Sequence, residues 1–378
     1  MKKKNQKISA INNPVQVQIA TDTQDDLSIC PISPFNSNQL TISNLGIKYH
    51  ESINEVLKAT SKLTAELKIQ LEQVYSAHTS MTAFLYPNSG KYRLVIANVL
   101  YDFLYYIDDI FGEDIEVLED EIRPSLAEMM QIWKTGEINK DAVEYNSSSK
   151  IKNIYDALLW IRTKLYQSSE PVFFKKLSKL LFEHLKEQLE PKDFETTEEY
   201  IMLRRRFGGM YPVVFLIEYC NNRYLATDTL EQLPSLQKAI DACADIGGLS
   251  NDVFSYPKES HSKFNLINSY LVVDPEMTLK EAVQKSINVV NDCHFEFDQA
   301  IEQLQVEIKV LSKEQQITVL KFVDGLEDIV SASFHWQFVT ERFRHDNHIL
   351  EDLKYKSNYT FNTKITNLIP STSIKKPA

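Results

Sequence analysis

The sequence predicts an all-α protein, one domain of helices packed round a central cavity. Three observations predict it. Apolar residues recur at helical spacing almost throughout residues 49–345. Only nine glycines occur in 378 residues, which favours long helices over turn-rich sheets. Strand-like alternation bounded by turn residues is scarce, and no repeat of fixed period appears. An apolar content of 43% is ample for a sizeable core.

Residues 1–45 are polar, with Pro14, Pro31 and Pro34, and read as a flexible lead with a segment able to fold over a site. Helices are then expected at 49–78, 91–111, 114–135, 149–167, 171–191, 196–220, 229–256, 278–308 and 314–345. Pro87, Pro171, Pro191, Pro234 and Pro275 fall in gaps or near helix ends, where proline is tolerated. Residues 351–378 are again polar and read as a tail, leaving 46–350 as the body. Two interruptions stand out. Gly208-Gly209 costs about 1 kcal/mol per glycine against alanine inside a helix, so a break is expected there. Pro257 removes one helical hydrogen bond and crowds the carbonyl of Val253, so the last turn of that helix is expected to bend.

Composition excludes some functions. A net charge of −11 argues against a nucleic-acid partner, because phosphate binding needs a basic face. Cys30, Cys220, Cys243 and Cys293 have neither metal-ligand nor redox spacing and read as reduced thiols of a cytoplasmic protein. Met1-Lys2-Lys3-Lys4 is not followed by the apolar run of a signal peptide, and no run of 18 apolar residues predicts a membrane anchor. His345 and His348 could meet on one helix face and read as a surface pair.

The most informative stretch is Asn251 to Glu259. Asn251, Ser255 and Glu259 are four apart, so on a helix they form one narrow stripe. Side chains lean toward the helix N-terminus, which lets Glu259 reach back toward Ser255. An amide oxygen, a hydroxyl and a carboxylate can share one hard cation, and Mg²⁺ takes oxygen ligands and completes its shell with water and phosphate. A second acidic cluster, Asp108-Asp109-Ile110-Phe111-Gly112-Glu113-Asp114, ends the strongly apolar helix of Tyr92 to Ile107. Carboxylates are disfavoured at the negative end of a helix dipole, so a nearby cation is expected. The apolar residues just before the acids suggest a greasy pocket with a charged rim.

Together these patterns resemble the class I terpene synthases, or terpene cyclases, of microbial type. Asp108-Asp109-x-x-x-Glu113 is similar to the family's aspartate-rich motif, and Asn251-Asp252-x-x-Ser255-x-x-x-Glu259 to its second metal motif. Arg205 lies 46 residues upstream of Asn251, the family's spacing for a diphosphate-sensing arginine. Arg342-Phe343 stands where the family usually has Arg-Tyr, so one hydroxyl donor is lost. The resemblance runs from Tyr86-Pro87 to Phe343, about two-thirds of the chain.

It implies a class I terpenoid synthase-like helical bundle and a Mg²⁺-dependent enzyme, with three ions when diphosphate is bound. Asp108 is the expected direct metal ligand on one wall. The motif leaves open whether Asp109 and Glu113 touch the ion, and Gly112 occupies a position where the shorter family motif has an acid. Asn251, Ser255 and Glu259 would hold metal on the facing wall. Arg205, Lys258 and Arg342 would bind diphosphate, Gly209 would turn its carbonyl toward the first cation, and Tyr101, Tyr105, Phe215 and Trp336 would line the pocket. The expected reaction is ionisation and cyclisation of a linear prenyl diphosphate, farnesyl (C15) or geranylgeranyl (C20), with a homodimer as a permitted assembly. The rival within similar folds is a chain-elongating prenyltransferase, but a second Asp-Asp-x-x-Asp near 240–260 is missing. A rival of another class is a non-catalytic helical binding protein.

Overall fold

The computed structural model describes residues 35–70, 80–112, 115–141, 149–187 and 193–354, with backbone alone for the described residues of 108–124 and for 187. Its helices are α1 Ile53–Leu67, α2 Met81–Leu85, α3 Lys91–Gly112, α4 Ile115–Thr135, α5 Ser149–Ser168, α6 Pro171–Glu187, α7 Thr197–Phe207, α8 Met210–Asn221, α9 Thr229–Gln232, α10 Pro234–Glu259, α11 Leu266–Val273, α12 Leu279–Glu307 and α13 Lys313–Val339. No β-strand occurs among the described residues; Phe35 and Leu350 form an isolated bridge.

Local chemistry sets the helix ends. Thr196 with Glu199, Thr278 with Glu281 and Ser312 with Gln315 form capping boxes that start α7, α12 and α13. Proline opens α10, where its missing N–H costs nothing. α10 is the axis of the bundle. It packs most extensively along α12, then against α13, α8 and α7, and its residues from Ala242 to Ser250 are buried without interruption. A helix buried all round has to be apolar or small on every face, and Ala242, Ala244, Gly247 and Gly248 meet that need. Gly247 lets α8 come close: a Cβ there would lie 2.2 Å from Met210 Cε, so that side chain would have to move.

Three sequence expectations are corrected. The first helix ends at Leu67, because Lys68 takes a left-handed conformation (φ 58°). The 229–256 helix divides at Leu233, where Pro234 starts a new one, and α10 continues through Pro257 to Glu259. The last long helix stops at Val339, and Glu341–Phe343 forms a separate 3-10 turn. The expected break at Gly208-Gly209 is present, with Gly209 at φ 67°.

Residues 35–45, assigned by sequence to the lead, make two 3-10 turns and bury Phe35, Leu40 and Ile42. Phe35 pairs with Leu350, and Asp352 accepts from Ser37 N at 3.1 Å and Ser37 Oγ at 2.5 Å. His348 is also unlike its sequence reading as a surface residue. It is buried, faces the Phe254 carbonyl at 3.0 Å and accepts from Leu350 N at 2.9 Å.

Candidate active site

The break between α7 and α8 opens onto a cavity of about 380 Å³. α2, α3, α6, α7, α8, α10 and α13 supply its walls, with the Arg342–Phe343 turn across one side. Tyr101 and Tyr105 of α3, Trp336 of α13, Asn251 and Glu259 of α10, Gly209 and Arg342 all line it. The site has two chemically distinct ends.

One end is polar. Glu259 accepts from Ser255 Oγ at 2.7 Å and from Asn265 Nδ2 at 3.1 Å. Asn251 Oδ1 accepts from Arg204 Nη2 at 3.3 Å, while its Nδ2 donates to Gln337 Oε1 at 3.2 Å. Asn251 thus turns its oxygen to the Arg204 guanidinium and its amide nitrogen to Gln337. Ser255 is buried and lies outside the lining itself, but its bond to Glu259 keeps the two oxygens together. An amide oxygen, a hydroxyl and one carboxylate on a single helix face suit a hard divalent ion, so these residues fit Mg²⁺. The aspartate-rich motif ends α3 by its backbone, but the side chains of Asp108 and Asp109, and Glu113 entirely, lie outside the described residues.

Arg204, not Arg205, is the arginine of this end. Arg204 lines the cavity and donates from Nε to Asp252 Oδ1 at 2.8 Å. Arg205 lies outside the lining and forms a forked pair with Asp245, at 2.7 and 2.5 Å. The reason is rotation. Successive residues on a helix differ by about 100°, so the two neighbouring arginines point to different sides. Burial alone would depress the Arg204 guanidinium, but the Asp252 charge outweighs it and holds it above its ordinary range. Burial pushes the Asp252 carboxyl up to about 6, against the pull of Arg204 and a hydrogen bond from Tyr200. Leu266 N also donates to Asp252 at 3.1 Å, so this carboxylate joins α7, α10 and α11.

The other end is apolar and aromatic. Its polar atoms bond one another: Tyr86 donates to the Val213 carbonyl at 2.8 Å, which leaves Tyr101 to donate to the Tyr86 oxygen at 2.8 Å. Trp336 Nε1 donates to Ser80 Oγ at 2.9 Å. Burial pushes both phenols well above their ordinary range, so they stay neutral. Phe343 is buried against Trp336 and Phe254, ring centres 6.1 Å apart in each case.

Two further expectations are not met. Phe215 lies outside the lining; its ring packs on Phe322 and under the Lys176 ammonium. Lys258 is exposed and also outside the lining. Sequence reasoning missed His184, Gln337 and the Tyr86 hydroxyl. His184 had a faint signal, since it lies on the Leu177–Leu181–Leu185 stripe of α6. Gln337 had none.

Comparison with known proteins agrees with this geometry. The family described as terpene synthase family 2, C-terminal metal binding, matches residues 100–294, just over half of the chain. Sesquiterpene synthase 1 of Postia placenta is 26% identical over 278 residues, covering 70% of this chain and 75% of that protein. The (+)-eremophilene synthase of Gibberella fujikuroi is 24% identical over 254 residues, covering 64% and 67%. Germacradien-4-ol synthase from Streptomyces citricolor superposes with a TM-score of 0.67 at 16% identity, over 78% of this chain and 96% of that one. The fold is therefore that of the class I terpene synthases. The chain belongs to terpene synthase family 2, and it is a terpene cyclase acting on a prenyl diphosphate. Neither chain elongation nor a purely binding role receives support from these matches.

Proposed function

We propose that this cyclase takes farnesyl diphosphate, with Mg²⁺, and releases a C15 terpene. The observation that carries the reading is the division of one cavity into an oxygen-and-arginine end and an aromatic end. The volume of about 380 Å³ is near the lower limit for small-molecule pockets and favours the C15 chain over the C20 chain. The names of the sesquiterpene synthases it resembles support the same length.

Asn251, Ser255 and Glu259 are the metal-holding residues of one wall in this reading, and Asp108, Asp109 and Glu113 those of the other. Mg²⁺ bound there, three ions with diphosphate, would supply Lewis-acid polarisation and neutralise charge on the leaving group. Arg204 and Arg342 face the same end and stabilise that charge electrostatically, a role worth most in a site from which water is excluded. Arg205 and Lys258 contribute only from outside the lining. Gly209 serves as the point where the backbone turns toward the first cation, with its positive φ as support. Tyr101, Tyr105 and Trp336 hold the hydrocarbon, and a ring face stabilises a cation by about 0.5–2 kcal/mol. The catalytic domain in this reading includes residues 35–45, whose Phe35, Leu40 and Ile42 are buried. We assign the enzyme to the cytoplasm. Buried free thiols at Cys220, Cys243 and Cys293 support this, and no helix among the described residues is long and apolar enough to cross a membrane. A homodimer is the assembly we would test.

The experiment is incubation of the purified chain with farnesyl or geranylgeranyl diphosphate, with Mg²⁺ or with chelator. Diphosphate release and volatile products are measured. C15 volatiles appearing only with Mg²⁺ are expected. Longer diphosphates formed on adding isopentenyl diphosphate, or no release at all, would overturn the reading; C20 volatiles would overturn the chain length alone.

A further inference from the structure

We propose that Gln337 is a positioning residue for metal: it sets which atom of the Asn251 amide is left for the cation. The inference rests on the Mg²⁺ reading above and deepens it. Gln337 lines the cavity from α13 and is only 3% exposed. Its amide is anchored first on its own helix. Nε2 donates to the Ser333 carbonyl one turn back, and to Ser250 Oγ at 3.1 Å. Oε1 accepts from Asn251 Nδ2 at 3.2 Å, and Asn251 Oδ1 accepts from Arg204 Nη2 at 3.3 Å.

The direction of this chain of bonds is fixed by its two termini. A backbone carbonyl only accepts, and a guanidinium only donates. Each amide between them has one donating end and one accepting end. Both termini are satisfied only when the amides run head to tail, nitrogen toward Ser333 and oxygen toward Arg204. Reversing Gln337 would set its oxygen against the Ser333 carbonyl. Reversing Asn251 would set oxygen against oxygen at Gln337 and N–H against N–H at Arg204. The order matters because Mg²⁺ takes oxygen ligands, and an amide –NH₂ gives it none. An amide oxygen has two lone pairs, so the bond from Arg204 leaves one for a cation. Arg204 also serves diphosphate in the proposed reading, whereas Gln337 ties Asn251 to α13. Groups that orient metal ligands are worth about 10–100-fold in metal affinity.

The test reads Mg²⁺ binding without turnover. The purified chain is titrated with Mg²⁺ at a fixed concentration of inorganic diphosphate, and the thermal shift is followed. Gln337→Leu keeps much of the bulk and removes the acceptor, so the half-effect Mg²⁺ concentration should rise about tenfold. Gln337→Glu still offers an oxygen to Asn251 Nδ2. Its half-effect concentration should stay within about threefold of wild type or fall, while the metal-free protein melts lower because the Ser333 carbonyl loses a donor. Asn251→Asp presents oxygen at both ends, so its orientation carries no consequence. Adding Gln337→Leu to Asn251→Asp should therefore move the half-effect concentration less than about twofold. Equal losses from Gln337→Leu in both backgrounds would overturn the proposal in favour of general support of α10. Wild-type binding by Gln337→Leu would overturn it too, as would a loss in Gln337→Glu as large as in Gln337→Leu. The leucine-against-glutamate comparison decides alone should Asn251→Asp not fold or not bind Mg²⁺, and Gln337→Met replaces a leucine variant that does not fold. A wild type without any Mg²⁺ effect would sink the metal reading itself, a failure seen before any substitution is made and so distinguishable from this one.

Discussion

The two ends of the cavity are built by opposite rules. At the polar end Arg204, Asn251 and Glu259 are each already held. Arg204 is bonded to Asp252 and Asn251, Glu259 to Ser255 and Asn265, and Asn251 to Gln337. At the aromatic end the polar atoms pair with one another, and the remaining surface is ring and aliphatic carbon. Charge handling is thus fixed in advance by directional bonds, while the hydrocarbon is held by shape and by non-directional burial. Changes at the polar end should abolish turnover; changes at the aromatic end should redirect products at modest cost in rate.

Asn251→Ala or Glu259→Gln should break that contrast most strongly. Turnover should drop about 10³-fold, the upper range for losing one electrostatic contact to a transition state. Circular dichroism should stay that of the wild type, and chelation of metal should mimic the loss. Next in size is the neighbouring arginine pair. Arg204→Ala should lower turnover about 10²-fold. It should also lower stability by about 3–5 kcal/mol, because Asp252, 1% exposed, is left charged without its partner. Arg205→Ala should leave turnover within a few-fold and be felt in urea denaturation. Equal catalytic loss in both variants would show that the 46-residue spacing outweighs the observed orientation.

The back of the polar end is secured by His348 on the Phe254 carbonyl of α10. Burial lowers this imidazole to about 4 from an ordinary 6.5. A base whose folded pKa is depressed binds its proton more readily when unfolded. Its contribution is full above pH 6.5 and is lost as pH falls toward 4, up to about 3 kcal/mol. Asp252 acts in the opposite sense: with its folded pKa raised to about 6 from 3.8, it favours the fold increasingly as pH falls through that window. Denaturation of His348→Gln between pH 7 and 4 should therefore show a flatter loss of stability than the wild type. A parallel slope would remove His348 from the account.

The smallest effect is expected at the aromatic end. Tyr101→Phe removes the hydroxyl that donates to Tyr86, costing about 1 kcal/mol of stability. Turnover should stay within a few-fold while product shares change, as read by gas chromatography. A loss of turnover equal to that of Asn251→Ala would erase the distinction between the ends.

Much of this was legible in the sequence, for physical reasons. Helical periodicity reports which face is buried, and it located the long helices that line the cavity but not the short α2, Met81–Leu85. Gly208-Gly209 reports a backbone need, and the break is there. The Asn251–Ser255–Glu259 stripe is local to one helix, so its spacing alone brings the oxygens together. What failed were contacts between helices. Periodicity does not say which of three consecutive arginines turns inward, nor that Phe215 faces Phe322 rather than the cavity. Residues such as Gln337 gain their roles from partners far along the chain, a distance of 86 residues in the bond from Asn251.

The pairing of Ser37 with Asp352 spans 315 residues. Closing so long a loop has an entropy cost of about 5 kcal/mol, met only when the rest of the chain already holds its ends near each other. Arg342 and Phe343 sit just ahead of that tie. On a ribosome, which delivers the chain from its beginning, the reaction chamber therefore stays unfinished until Arg342 and Phe343 have emerged behind all its other walls.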